Sequence, residues 1–407
     1  MARRALGVLG AFLLLAVACK SSGGEAGVQG TTLRFGAALS LTGQLSREGV
    51  LTKEGYEYCK KVVNEKGGIK AGGTSYKLNI LYQDDRSTPD VAAQLVDQMN
   101  DKGIKFILGP YGSSSTEAAS AVTERNQQVM VSSAGADDKI FEKGYRYTFG
   151  VLSPASQYLA TIVKATVELA QPKPQTVAIV SADDGFSKTA AQGGKEEAEK
   201  QGLQVLAMEF VPEGATDVSS ALTKVKAKNP DLILGAVHLQ EGIAIMKQSK
   251  ELGLDPKVGF GETVAPPTPD FSKTLGATAE GVLGSSQWTP QVEGKDNLFG
   301  SAQDYTKGFE QAIGHTPEYH NAEATAACLA MVEAIQKAGG VEPSKVRDSL
   351  AGLNMPSFFG AIRFNPQGKN IYKPMAVIQV RNGKPVTVWP QTAGTEAAVW
   401  PASPFTG

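Results

Sequence analysis

The sequence predicts a two-lobed α/β protein with mostly parallel sheets. Short apolar runs alternate with helical stretches from Thr31 onward, the pattern of repeated strand–helix units with right-handed crossovers. The alternation begins a second cycle after residue 170. At 407 residues the chain is also too long for one ordinary core, so two domains are expected.

Each element follows from its residues. Leu33 to Leu39 (LRFGAAL) reads as a strand that opens into the loop Ser40-Leu41-Thr42-Gly43. Gly49 to Glu65 carries helical spacing through Leu51, Tyr56, Cys59, Val62 and Val63 and stops at Gly67-Gly68. Tyr76 to Tyr82 is a strand, followed by Asp84-Asp85 and a helix from Pro89 to Asn100. Phe106-Ile107-Leu108 is a third strand, and Val129-Met130-Val131 a fourth beyond the helix between them. Tyr145 to Phe149 starts a crossing segment, and Ser153-Pro154 opens a long helix to Ala170. The second cycle comprises strand 176–180, helix Lys188–Gln201, strand Val205–Phe210, helix Val218–Lys228 and strand 232–237. A strand over Lys257–Phe260 and a connecting strand near Gly281–Ser286 follow. A helix from Ala322 to Ala338 and paired strands near Ala361–Phe364 and Met375–Arg381 close the chain.

The stretch from Lys105 to Asp138 is the candidate site. Its first strand ends at Gly109-Pro110-Tyr111-Gly112, and Ser113, Ser114, Ser115 and Thr116 stand where the next helix begins. Hydroxyls and unpaired N–H groups at a helix start favour an anion, helped by the helix dipole. The next strand opens into Ser132-Ser133-Ala134-Gly135-Ala136. Serines that merely cap a helix are the commoner case. Two successive small-residue loops at the carboxyl ends of adjacent parallel strands instead leave a crevice open to a ligand.

The N-terminus reads as an export signal. Arg3 and Arg4 precede an apolar run from Ala5 to Ala18, too short for a stable membrane span, and Ala16-Val17-Ala18 fits the small-x-small cleavage rule. Cys19 follows directly, so the segment resembles a bacterial lipoprotein signal in which Cys19 carries the lipid; ordinary cleavage at the same bond is the alternative. Residues 1–18 are thus an expected signal peptide, and 19–30 a lipidated cysteine with a flexible tether. The expected location is the periplasm or cell surface.

Forty Lys and Arg against 41 Asp and Glu leave a net charge of −1, with no footprint for nucleic acid or an anionic surface. Cys59 and Cys328 lie in helical patterns, and a disulfide and two buried thiols both remain open. No constellation supports catalysis or a cofactor: there is no G-x-S-x-G elbow, and GAALSLTGQ is not a dinucleotide fingerprint. Pro317 interrupts His315 and His320, so they have no zinc-helix spacing. Asp84-Asp85 and Asp183-Asp184 read as ordinary turn chemistry rather than a metal site. His238, at a strand end facing the predicted cleft, reads as a structural histidine, with a ligand-side hydrogen bond as the alternative.

QDDRSTPDVAAQLVDQM, FILGPYGSSST, VMVSSAGA, FEKGYRYTFG and GATAEGVL, in that order, resemble type I periplasmic substrate-binding proteins of ABC importers. The similar group is that of the leucine/isoleucine/valine-binding proteins, and the likeness covers nearly everything after residue 31. It implies two Rossmann-like lobes joined by a three-strand hinge that close on a solute. The implied lobes are 31–150 plus 287–356 and 151–286 plus 357–407, with crossings near 148–152, 284–288 and 355–359.

The resemblance also implies roles. Ser113 would hold a ligand carboxylate through its hydroxyl and N–H, the carbonyl of Ala134 would take an ammonium hydrogen, and Ala136 would offer only a backbone N–H where the family has threonine. Glu262 would pair with the ammonium, since a buried carboxylate needs a cation. Tyr111, Gly112, Phe186, Tyr319 and Glu48 fall at side-chain pocket positions, and Glu48 departs from a usual aromatic. The acid at Glu48 tilts the expectation toward a polar or amide-bearing ligand unless it faces solvent at its helix start. The implied function is that of a monomeric solute-binding protein delivering an amino acid-like molecule to the transmembrane subunits of an ABC permease. The alternative is a ligand-sensing receptor of the same fold, coupled to a separate membrane signalling partner.

Overall fold

A computed structural model describes residues 27–405. The expected signal segment and Cys19 lie outside these residues. No helix among the described residues is long and apolar enough to cross a membrane.

The first lobe runs through β1 (Val28–Gln29), β2 (Thr32–Leu39), α1 (Ser46–Glu65), β3 (Ile69–Ala71), β4 (Thr74–Asp84), α2 (Pro89–Asp101), β5 (Phe106–Leu108), α3 (Ser113–Asn126), β6 (Val129–Ser132) and β7 (Thr148–Gly150). Its sheet has the order β3-β4-β2-β5-β6-β7, with the β2, β4, β5, β6 and β7 pairings parallel. Period-two alternation decides what each face covers. Leu33, Phe35, Ala37 and Leu39 of β2 enter the main core, whereas Ala38 joins Met99 and Ile104 on the opposite face. The end of the expected tether is structured: Val28 and Gln29 pair antiparallel with Leu33 and Thr32.

The second lobe begins with α4 (Gln157–Leu169) and continues through β8 (Thr176–Ala182), α5 (Gly185–Lys200), β9 (Gln204–Val211), α6 (Ser219–Lys228), β10 (Leu232–Ala236), α7 (Leu239–Leu252), β11 (Gly259–Glu262), α8 (Pro269–Leu275) and β12 (Leu283–Ser286). The chain then returns through β13 (Lys295–Asp296) and β14 (Gly300–Ser301) to α9 (Ala302–Ile313), α10 (Tyr319–Ala338) and α11 (Pro343–Ala351), and on to β15 (Asn354–Met355) and β16 (Ile362–Arg363). It ends with β17 (Ala376–Arg381) and β18 (Lys384–Trp389). The second sheet has the order β18-β17-β12-β11-β10-β8-β9, parallel from β12 to β9.

Two expectations are corrected here. The last two strands predicted from the sequence do not pair with each other: β16 pairs with β15, while β17 pairs antiparallel with β12 and β18. Val377, Ile378 and Val380 explain this, because their apolar side chains are buried when β17 extends the large sheet. The strand expected over Lys257–Phe260 lies at Gly259–Glu262, which puts Glu262 inside a strand.

Three segments cross between the sheets and are laced together. Ser153 N donates to Gln287 Oε1 at 3.1 Å, and Gln287 Nε2 donates back to the Ser153 carbonyl at 3.0 Å. Ser153 Oγ donates to the Lys373 carbonyl at 2.8 Å, and Lys373 Nζ to the Gln287 carbonyl at 2.6 Å. Asn370 Nδ2 adds a bond to the Val151 carbonyl at 3.1 Å. Cys59 of α1 and Cys328 of α10 form a disulfide, which decides between the two states the sequence left open.

Candidate functional site

In the first sheet, β4 and β5 leave on opposite sides of β2; in the second, β9 and β10 lie on opposite sides of β8. Such switch points open a crevice at the strands' carboxyl ends. The two crevices face each other across a small cavity of about 30 Å³ whose lining residues are mostly buried. That is room for roughly two water-sized groups.

The first lobe supplies Tyr111, Gly112 and Ser113 from the loop after β5, and Ala134 and Ala136 from the loop after β6. Tyr319 at the start of α10 and Phe186 at the start of α5 complete the predicted set that the fold brings together. Gly112 has φ +86°, a conformation costly for other residues, which turns the chain sharply into α3. Gly135 is required for another reason: a Cβ there would lie 2.5 Å from Thr116 Cγ2, so the two loops could not pack.

Ser113 Oγ accepts the N–H groups of Ala136 at 3.2 Å and Asp137 at 3.1 Å. Its lone pairs are thereby used, and its own proton remains to be donated. The Ala136 N–H expected to reach a ligand is turned to Ser113 instead. This is the consequence of joining the two loops.

Glu48 and Glu262 do not line this cavity. Glu48 is buried beside a neighbouring cavity of about 230 Å³, 3.6 Å from Arg47 Nη1, where Tyr111 and His238 form the shared wall. Glu262 is 1% exposed, and its side chain lies over Gly235 toward Gly242 of α7, a path open only because both are glycines. Gly261, the preceding residue, faces Ile162 of α4, so strand alternation turns Glu262 to the α7 side. Neither Glu262 oxygen has a hydrogen-bond partner among the described residues. Burial, with Glu241 nearby, pushes its carboxyl well above the usual range.

Several lining residues were not expected: Leu152, Tyr158, Val264, His320 and Glu323; His238, expected to face the cleft in a structural role, lines it as well. The signal for Glu323 was its position four residues after Tyr319, one turn along the same helix face. Tyr158 and His238 flank Phe186, with ring centroids at 5.0 and 5.3 Å. His238 Nε2 lies 3.5 Å from Asp184 Oδ2. Burial alone would lower the imidazole, but the adjacent Asp184 carboxylate outweighs it and raises His238 to about 9. No group of His, Cys, Asp and Glu among the described residues is arranged to hold a metal ion.

A family model described as periplasmic binding protein matches residues 32–385. Curated relatives include a leucine-, isoleucine-, valine-, threonine- and alanine-binding protein of Pseudomonas aeruginosa, 22% identical over 83% of this chain and 87% of that protein. The Leu/Ile/Val-binding protein of Escherichia coli is 27% identical over 60% of this chain and 64% of its own. Among solved structures, leucine-binding protein LivK of Thermotoga maritima has a TM-score of 0.77 at 20% identity, covering 87% of this chain and 97% of that one. The substrate-binding protein LivJ of Streptococcus pneumoniae, in complex with isoleucine, has a TM-score of 0.76 at 20% identity, over 88% and 99%. A solute-binding protein of R. palustris in complex with benzoate has a TM-score of 0.73 at 17% identity, over 88% and 95%. Such structural likenesses establish the fold. With two parallel sheets facing across a lined cleft and the family model spanning nearly the whole described chain, this protein belongs to the type I periplasmic binding proteins of the Leu/Ile/Val-binding group, extracytoplasmic solute binders and not enzymes.

Proposed function

We propose that this protein captures a small amino acid-like solute between its lobes and delivers it to the transmembrane subunits of an ABC importer. The observation that carries this reading is the cavity itself. It is lined by loops of both lobes, and the Ser113 hydroxyl proton is available at the N-terminus of α3 to a carboxylate. Relatives named for leucine, isoleucine, valine, threonine and alanine support the ligand class.

Capture proceeds by hinge closure in this reading. The first lobe holds the polar head at Ser113, with Tyr111, Gly112, Ala134, Ala136 and Tyr319 around it, and the second lobe brings Phe186 over the side chain. We place the third crossing at Lys369–Lys373 rather than near 355–359. In support, Phe358 stacks on Tyr305 at 4.0 Å and Phe364 meets Phe149 at 5.2 Å, so this stretch packs with the first lobe. Lipidation at Cys19 holds the monomer at the membrane in this reading.

A thermal-shift and calorimetric screen tests it, with L-alanine, L-leucine, propionate, isocaproate, propionamide and benzoate as probes. A ligand that binds only the folded state raises the melting temperature with its concentration. Shifts with the α-amino acids are expected. Shifts confined to amine-free carboxylates or to the amide would overturn the amino acid reading.

A further inference from the structure

The acid expected to meet a ligand's ammonium, Glu262, points away from the cavity, and the one carboxyl among the described residues that lines it is Glu323. We propose that Glu323 is the ammonium acceptor of this site, so that both poles of a zwitterion are held by the first lobe. This rests on the reading that the ligand is amino acid-like.

The geometry is that of an acceptor without a protein partner among the described residues. Glu323 stands on α10 one turn after Tyr319, and the residue is 1% exposed. Its buried Oε2 is left without a hydrogen-bond partner among the described residues. Burying a polar group without a partner costs about 1–3 kcal/mol, and of the unpartnered buried carboxyls among the described residues only Glu323 lines the cavity, where a ligand can supply the partner.

The neighbouring cation does not satisfy it. Lys373 is buried in the hinge, but its ammonium is committed to the Gln287 carbonyl at 2.6 Å and lies 4.7 Å from the Phe359 ring centroid. It forms no ion pair with Glu323 among the described residues. The other cavity groups that reach this end, Tyr111, Tyr158 and Tyr319, are neutral phenols raised by burial. A ligand –NH3+ brings both the missing charge and three donors. Ser113, with its proton free, forms the anion pole in the same lobe.

The division of labour follows. The first lobe recognises the α-amino and α-carboxyl groups through α10 and α3. The second lobe contributes Phe186, His238 and Val264, which contact the remainder of the solute and set its size.

Titration calorimetry on wild type, E323Q and E262Q tests this, with L-alanine and L-leucine against their amine-free counterparts propionate and isocaproate. E323Q is expected to weaken amino acid binding about tenfold or more and to shrink the preference over the amine-free acids. E262Q is expected to stay within about twofold of wild type, because its side chain is remote from the solute. Amino acid binding that survives in E323Q, or that is lost equally in E262Q, would overturn the assignment while leaving the amino acid reading intact. If wild type binds only amine-free acids, the reading and the assignment both fall. Should E323Q fail to fold, E323D serves: it is expected to lose affinity but keep the preference for the amine-bearing ligand, and an unchanged affinity there overturns the role.

Discussion

His238 Nε2 lies 3.5 Å from Asp184 Oδ2 at the carboxyl ends of adjacent strands β10 and β8, where the second lobe meets the cleft. Burial alone would raise Asp184, but the nearby His238 imidazole and the Ser187 N–H hold it well below its ordinary 3.8. His238, raised from 6.5 to about 9, adds stability that is full below its ordinary value and is lost as pH rises toward 9. Asp184, lowered, adds stability above its ordinary value that is lost in acid. In H238Q the alkaline part of this dependence, about 1–3 kcal/mol, should disappear. Urea unfolding of both proteins at pH 6 and pH 9 measures it, and equal pH dependence in the two would refute the coupling.

Ser113 accepts two backbone N–H groups and retains a proton for the ligand. S113A should therefore weaken carboxylate-bearing ligands by about 1–3 kcal/mol and leave the Ala136 and Asp137 N–H groups without their acceptor. Calorimetry reads the first effect and the melting temperature the second. G135A should be worse for the fold, because its methyl group would displace Thr116 and separate the loops.

Arg47 of α1 reaches across the cleft. Its Nη2 donates to both oxygens of Glu318 at 2.8 Å, and its Nε donates to Asp270 of α8 in the other lobe. Asp270 is the exposed partner, so D270N should cost no more than about 1 kcal/mol. Its effect is expected in a faster ligand dissociation rate, read by stopped-flow fluorescence, with the melting temperature nearly unchanged. An unaltered dissociation rate would show that the ion pair does not hold the lobes closed.

The Cys59–Cys328 disulfide pins α10, which carries Tyr319 and Glu323, to α1. Both cysteines are fully buried. The double variant C59A/C328A should lose about 2–4 kcal/mol in denaturant unfolding. Ligand affinity should fall as well, if the bond helps to position the cavity face of α10.

Much of the site is legible in the sequence. The small-residue loops after β5 and β6 stand out because parallel strands ending in Gly, Ser and Ala leave a crevice, and the cavity is lined by Ser113, Ala134 and Ala136. The signal failed where facing decides. Glu262 follows a strand-like run as a site acid should, yet strand alternation and the glycines at 235 and 242 turn it beneath α7. Glu323 lies within an apolar helix of alanines and reads locally as an ordinary helical residue, yet it lines the cavity.

Taken alone, the sequence determined the strand–helix alternation, the doubling of the lobes and the loops that open the cleft, because hydrophobic periodicity and turn chemistry act between near neighbours. The tertiary structure alone decided which acid lines the cavity, how β17 joins the second sheet and that Cys59 meets Cys328 across 269 residues. These depend on how distant segments pack, and local spacing carries no record of that.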